Sequence, residues 1–306
     1  MRAVAFSGFG AAPALTELPT PEPGPGEVLV RVRAASVNGF DLGVLGGFLK
    51  GVYEYEFPVV LGKDFAGSVA AVGAGVSGLA VGDEVFGVVM RPTLGQGGFA
   101  EYVVVGEQYG ISRIPDGLDH ARAGALGLAG TAALNAVDAV APARGESVLI
   151  CGATGGVGGY AVQLAVSRGA TVIATARPGA QAAFVTALGA RYVVDPDDLR
   201  AQVEAVAPGG VQAALHLAGD GAAVAGLLVP GGRLASTLHF VPDGEDVKAT
   251  AIMADPSPAT LDFLAAEVVA GRLRVPLARA YDLADGAQAV ADFTGGTVGK
   301  IAVTVG

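Results

Sequence analysis

Between Ser147 and Ala165 the chain reads SVLICGATGGVGGYAVQLA, and the turn Gly155-Gly156-Val157-Gly158 within it is the spacing that implies chemistry most directly. A glycine turn lets the backbone approach a pyrophosphate closely, and the free N–H groups at the start of a following helix receive the negative charge. The pattern is G-x-G-x-x-G with Ala153 in the first glycine's place. About twenty positions on, where a carboxylate would accept hydrogen bonds from the adenosine ribose of NAD, stands Thr175, with Arg177 two residues later. A hydroxyl and a guanidinium there suit a 2′-phosphate, so NADPH is the expected cofactor. Arg168 and Arg191 are the other cations that could take that role.

The flanking residues say how such a turn would be held. Val148, Leu149 and Ile150 are uncharged β-formers, as a strand buried on both faces of a parallel sheet requires. After the glycines, Val157, Ala161, Val162, Leu164 and Ala165 supply an apolar helical face that no proline interrupts. Gly169 to Thr175 is a second β-rich run at βαβ spacing, and Tyr192 to Val194, Ala213 to Leu217 and Gly231 to Thr237 extend the series. The pattern predicts an α/β, Rossmann-type doubly wound parallel sheet.

The N-terminal part is patterned differently. Glu27 to Ala35, EVLVRVRAA, sets Val28, Val30 and Val32 against Arg31 and Arg33, which predicts a half-buried antiparallel strand. Short strands follow around Gly67 to Val72, Glu84 to Val89 and Phe99 to Val105, separated by glycine-rich turns. Alanine and leucine at helical spacing take over from Leu118, and the shift across Ala121 to Gly130 marks a boundary. A helix over Ala259 to Ala270 leads to the strand-like tail Gly299 to Val305, whose alternation matches the first β-domain. The expected domains are 1–124 and 256–306, forming one discontinuous β-domain, and 125–255, the parallel-sheet domain inserted into it.

Composition excludes several classes. A chain of 306 residues is long for one core and comfortable for two. Its formal net charge of −10, without a lysine or arginine cluster, argues against nucleic acid as partner. Hydrophobic residues make up 52%, yet the longest uncharged run, Phe65 to Gly82, is broken by five glycines and two serines and does not suit a membrane helix. The chain opens as a strand with no signal-peptide core, so a cytoplasmic protein is expected. Cys151 is the single cysteine, which excludes an internal disulfide and a cysteine-rich metal site; at the end of a buried strand it should be inert. His120, His216 and His239 are scattered rather than spaced as ligands, and no metal is expected.

Other motifs are Ala34-Ala35-Ser36-Val37-Asn38 with Asp41, Pro58 to Gly67 (PVVLGKDFAG), Val81-Gly82-Asp83-Glu84-Val85, Gly98-Phe99-Ala100-Glu101-Tyr102 and Gly299-Lys300-Ile301. With the glycine turn, they resemble in order and over nearly the full length the zinc-independent medium-chain dehydrogenase/reductases of the quinone oxidoreductase (zeta-crystallin-like) group. The resemblance implies a GroES-like catalytic domain built from both chain ends, carrying the Rossmann domain, and a homodimer. Where zinc-dependent relatives have a ligand cysteine this chain has Asn38, and where they have Gly-His-Glu it has Gly62-Lys63-Asp64. The four-cysteine lobe that would follow Met90 is also missing from the sequence. Without a Lewis acid, alcohol oxidation loses its main catalysis, whereas a conjugated acceptor needs less help. The implied activity is hydride transfer from NADPH to a quinone or an α,β-unsaturated carbonyl. Two other readings stay open: an enoyl-thioester reductase of the same superfamily, and a catalytically idle NADPH-binding protein of the crystallin kind.

The family's pattern also places the pocket residues. Asn38 and Asp41 fall in the active-site loop, Asn38 to orient the nicotinamide ribose or a substrate carbonyl, or both simply to stabilise a turn. Lys63 replaces a ligand and is expected to polarise a carbonyl oxygen or to pair with Asp64 or Asp41. Tyr53 and Tyr55 are placed to donate a proton, to stack on a ring, or only to pack. Thr131 matches a position beside the cofactor, His239 one near the nicotinamide, and Lys300 joins the cofactor contacts. The expected partners are a small-molecule quinone or enone and a second copy of the chain, with neither nucleic acid nor membrane.

Overall fold

The computed structural model describes residues 1–244 and 246–306. In chain order the elements are β1 (Arg2–Phe6), β2 (Ala14–Glu17), β3 (Glu27–Ser36), α1 (Gly39–Leu45), β4 (Glu54–Tyr55), β5 (Val59–Val60), β6 (Asp64–Val72), β7 (Glu84–Val88), β8 (Thr93–Leu94), β9 (Tyr102–Gly106) and β10 (Ile111–Arg113). There follow α2 (His120–Val140), β11 (Ser147–Cys151), α3 (Gly156–Ser167), β12 (Thr171–Thr175), α4 (Ala180–Ala187), β13 (Tyr192–Val194), α5 (Leu199–Val206), β14 (Val211–His216), α6 (Gly221–Ala225), β15 (Leu228–Ser236) and β16 (Lys248–Ala251). The chain closes with α7 (Pro258–Val269), β17 (Leu277–Asp282), α8 (Gly286–Thr294) and β18 (Lys300–Thr304). Two compact units result: Met1–Leu128 with Pro256–Gly271 and Leu277–Gly306, and Ala129–Asp255 with Arg272–Pro276.

In the second unit six strands pair in parallel in the order β13-β12-β11-β14-β15-β16. Strand order reverses between β11 and β14, and ligands of open α/β sheets bind outside the carboxyl ends at such a point. Val148, Leu149 and Ile150 are fully buried, as their uncharged run predicts. Leu149, Ile173, Ala214 and Leu234 pack with Val203 and Val224 from the helices. The segment 272–276 was expected in the β-domain and belongs to this unit instead. Gln163 holds it, donating to the Arg274 carbonyl at 2.9 Å and accepting from the Arg274 N–H at 2.8 Å.

In the first unit β3 lies inside a seven-stranded sheet of order β10-β7-β6-β3-β18-β17, with β9 also paired to β3. It takes β6 along one edge and, in succession, β9 and β18 along the other. That enclosure overrides the simple alternation: Arg31 is exposed, but Leu29, Ala34, Ala35 and Ser36 are buried. The tail strand β18 pairs with Ala34 to Ser36, so the chain's last strand completes the sheet that its third began. The apolar run of α2, rather than that of Phe65 to Gly82, is the one long and apolar enough to cross a membrane among the described residues; 78% of it is buried in the protein.

Candidate functional site

At the carboxyl edge of the parallel sheet, β11 ends in Cys151 and the chain turns through Gly152 to Gly155 into α3. No side chain caps the start of α3. Its first N–H groups carry the positive end of the helix dipole, a standing site for an anion. Gly158 is compulsory here, because a Cβ on it would lie 2.2 Å from the Gly152 carbonyl oxygen. Thr175, at the end of β12, accepts from the Gly152 N–H at 2.9 Å through its hydroxyl, which fixes the turn to the neighbouring strand. A cavity of about 350 Å³ opens beside the turn, lined by Gly152, Thr154, Thr175, Arg177, Gln181 and Asp220 among others.

Arg177 is largely exposed on this cavity; among the described residues its guanidinium has only a 3.7 Å ion pair with the exposed Asp197, a contact worth little in water, while its backbone N–H donates to Gln181 at 3.0 Å. Asp220 is committed elsewhere, capping α6 by accepting from the Ala222 N–H at 2.8 Å. Arg168 caps the far end of α3 and pairs with Asp138, and Arg191 precedes β13, so both stand at the amino edge of the sheet, away from the turn. Burial pushes the Cys151 thiol up to about 12, which makes it the inert residue its position predicts.

Thr131 lies within α2, fully buried, and its hydroxyl has no hydrogen-bond partner among the described residues. An orphaned buried hydroxyl, an uncapped helix start and a glycine that only backbone can approach are the donor set a dinucleotide needs. These residues fit the group. Thr175 and Arg177 would hold its adenosine end, Gly155 to Gly158 its pyrophosphate and Thr131 a polar group nearer the nicotinamide.

His239 sits exposed on the turn after β15 with φ +57, a left-handed conformation that histidine tolerates better than most residues. Sequence reading passed over the pair that builds this turn. His216 Nε2 lies 3.0 Å from the Gly219 carbonyl, which can only accept, so Nε2 carries the proton and Nδ1 accepts from the Ser236 hydroxyl at 3.0 Å. The Ser236 oxygen in turn accepts from the N–H groups of Leu238 and Phe240.

The first unit gathers Asn38, Asp41, Lys63 and Lys300 around Asp64. The Asp64 carboxylate is fully buried and accepts from Ser36 Oγ, from Asn38 Nδ2 at 2.8 Å and from the Leu128 N–H at 2.7 Å. Lys300, expected among the cofactor contacts, spends its ammonium here, donating to Asn38 Oδ1 at 2.7 Å and the Val37 carbonyl at 3.0 Å, 3.7 Å from Asp64. Burial lowers its pKa against the pull of Asp64 and Asp41. Asn38 therefore has both ends of its amide engaged within the protein. Asp41 accepts from the Asn38 N–H at 2.8 Å and the Gly62 N–H at 3.0 Å, tying the start of α1 to the loop before β6. Desolvation, aided by the negative charge of Asp64, raises its carboxyl to about 7. Gly62 has φ +94, and a Cβ there would meet Phe99 at 2.5 Å.

Lys63 is the exception. It is 9% exposed, has no hydrogen-bond or ion-pair partner among the described residues, and sits 4.8 Å from the centre of the Phe40 ring. Burial lowers its pKa to about 8 against the attraction of Asp41 and Asp64. It lines a narrow indentation with Phe40, Asp41, Val44, Leu61, Arg91 and Leu94. The expected pairing of Lys63 with Asp64 is replaced by that of Lys300. Tyr53 packs edge-on to Phe40, while the Tyr55 hydroxyl is taken by the Val44 carbonyl at 3.2 Å.

Comparison with known proteins gives two family matches: the alcohol dehydrogenase GroES-like domain over residues 24–116 and the zinc-binding dehydrogenase domain over residues 156–255. The chloroplast quinone oxidoreductase QR1 of Triphysaria versicolor is 36% identical over 206 residues, which is 64% of this chain and 61% of that protein. The matched region thus spans less than two thirds of that relative's length. The quinone oxidoreductase of Coxiella burnetii superposes with a TM-score of 0.89 at 29% identity, over 100% of this chain and 99% of that one. A mycobacterial protein solved with NADPH superposes with a TM-score of 0.86 at 27% identity, over 99% of this chain and 100% of the other.

Proposed function

Since this chain belongs to the quinone oxidoreductase group of the medium-chain dehydrogenase/reductases, we propose that it reduces a quinone or an α,β-unsaturated carbonyl with NADPH and without a metal. The observation that carries this reading is the open end of β11 and α3: a glycine turn and an uncapped helix beside a cavity edged by Thr175 and Arg177. A bound nicotinamide supplies the hydride. The chain's own residues do the rest. Backbone N–H groups at the start of α3 hold the pyrophosphate, and Arg177, free of a strong partner, meets the 2′-phosphate.

In the first unit the Asp64 network holds Asn38 rigid and leaves Lys63 as the cation that meets negative charge developing on the acceptor oxygen. Asn38 and Asp41 act in this reading as positioning residues. Alcohols are not substrates, because the residues in the ligand places are an amide already engaged and an ammonium, and neither acidifies a hydroxyl as a bound metal would. The second unit's outer parallel strand, β16, has three of four residues exposed, an edge that suits pairing with a second copy in a homodimer.

The experiment follows NADPH absorbance with para- and ortho-quinones, a simple enone, an enoyl thioester and a saturated aldehyde, alongside alcohol oxidation with NADP⁺. Turnover of a quinone or enone is expected; comparable alcohol oxidation, or turnover of the saturated aldehyde alone, would overturn the reading. Arg177→Ala should erase most of the preference for NADPH over NADH, about ten- to a hundredfold for a charged contact of roughly 1.5–3 kcal/mol. An unchanged preference would remove Arg177 from the role.

A further inference from the structure

The lysines of this chain are Lys50, Lys63, Lys248 and Lys300, and they fall into three environments. Lys50 and Lys248 are exposed. Lys300 is buried with its ammonium bonded to Val37 and Asn38 beside Asp64. Among the described residues Lys63 has no such partner; it is buried against the face of Phe40, in a recess lined by Val44, Leu61 and Leu94 on the apolar side and by Asp41, Arg91 and Thr93 on the polar side. A desolvated amine with no hydrogen-bond or ion-pair partner among the described residues is a setting in which lysine acts as a nucleophile toward carbonyl carbon.

We propose that Lys63 condenses reversibly with the aldehyde group of an α,β-unsaturated aldehyde to form a protonated imine. This deepens the proposed function and, for its part in turnover, rests on it. The Nζ lone pair forms the new C–N bond and the carbonyl π pair leaves on oxygen. Of the three protons of the ammonium, two depart on that oxygen as water and one stays on the imine nitrogen. No oxidant or reductant enters. The positive nitrogen then draws electrons from the conjugated C=C bond, which is the polarisation that conjugate reduction requires. An aldehyde is favoured over a ketone because its carbon is less hindered and can reach the amine in a narrow recess.

The electrostatics agree. With its pKa at about 8 in place of 10.5, Lys63 has a free-amine fraction at pH 7 about 300-fold above that of an ordinary lysine. Asp41, on the same indentation and titrating at about 7, can hold or release a proton in the pH range where the step runs.

The test uses the full-length protein without nucleotide, incubated at pH 7 with hexanal and sodium cyanoborohydride, which fixes an imine as a stable secondary amine. Peptide mass spectrometry then reads the alkylation of each lysine. Lys63 should be alkylated at least tenfold faster than the exposed Lys50 and Lys248, and Lys63→Arg, which keeps the charge but cannot condense, should lose that label. If Lys63→Arg fails to fold, the wild-type map decides alone. Lys63 left unmodified, or modified no faster than Lys50 and Lys248, overturns the proposal while leaving NADPH-dependent quinone reduction to its own assay. A labelled Lys63 in a protein that reduces no acceptor overturns the proposed function and leaves the imine standing.

Discussion

Beneath α1, Asp64 and Asn38 have a protein partner for each side-chain polar atom, whereas in the second unit the hydroxyl of Thr131 in α2 has none among the described residues and the start of α3 has no capping side chain. The first region is charged and closed; the second is nearly neutral and open. Burying an ion is costly unless geometry and further hydrogen bonds repay it, so the closed network reads as scaffold that fixes a loop. Leaving uncharged donors unsatisfied costs less, and a ligand recovers the loss when it binds. Lys63 breaks the pattern of its own region, since it is buried and has no hydrogen-bond or ion-pair partner among the described residues where its neighbours are closed.

The strongest way to break this comparison is Asp64→Ala. It would take the counter-charge from the buried Lys300 ammonium, leave Ser36 Oγ and the Leu128 N–H without their acceptor and leave Asn38 Nδ2 only the Ser36 carbonyl at 3.2 Å, and should cost about 3–5 kcal/mol in denaturant unfolding. Adding Lys300→Met should cost less than the sum of the two single changes, because the stranded charge is then gone. A loss below about 1 kcal/mol for Asp64→Ala would mean that the network is not what holds this loop.

Asp41 gives the next effect, and it depends on pH. Its folded-state pKa, about 7, lies above the ordinary 3.8, so the group favours the folded state at low pH and works against it as pH climbs between those values. In Asp41→Asn that dependence should vanish. The wild type should therefore lose stability relative to the variant by roughly 1.4 kcal/mol per pH unit across this window, at most about 4 kcal/mol in all. A difference that stays flat from pH 4 to 7 would show that Asp41 ionises normally. Thr131→Val makes the smallest change in stability and sharpens the contrast most. Removing an unsatisfied hydroxyl should leave the nucleotide-free protein unchanged or up to about 1 kcal/mol more stable, while NADPH binding by fluorescence titration weakens severalfold. A destabilised protein with unchanged affinity would place Thr131 with the closed region.

The open region was legible because its chemistry is backbone chemistry. Glycine spacing, β-formers before it and an apolar helical face after it determine β11, the turn and α3 nearly to the residue, and Thr175 follows by counting. The closed region was legible only as separate letters. Asn38, Asp41, Lys63 and Lys300 were each singled out, but Asp64, which gathers them, was read merely as one partner for Lys63. Nothing local says that Lys300, 236 positions further on by difference of their numbers, arrives first through the pairing of β18 with β3. Strand β17 was missed because five of its six residues are exposed and it has no apolar face to detect. The His216 and Ser236 pair was missed for the same reason as Asp64, since adjacent parallel strands bring it together in space and not in sequence.

The most direct test of the central claim is the fate of a single label. Samples of NADPH deuterated on one or the other face of C4 are supplied to the protein with an enone, and the product is read by NMR. The account expects deuterium bound to the β-carbon of the saturated product from one of the two samples and not from the other. NADPH consumed with no deuterium on carbon in either sample would contradict hydride transfer by this protein.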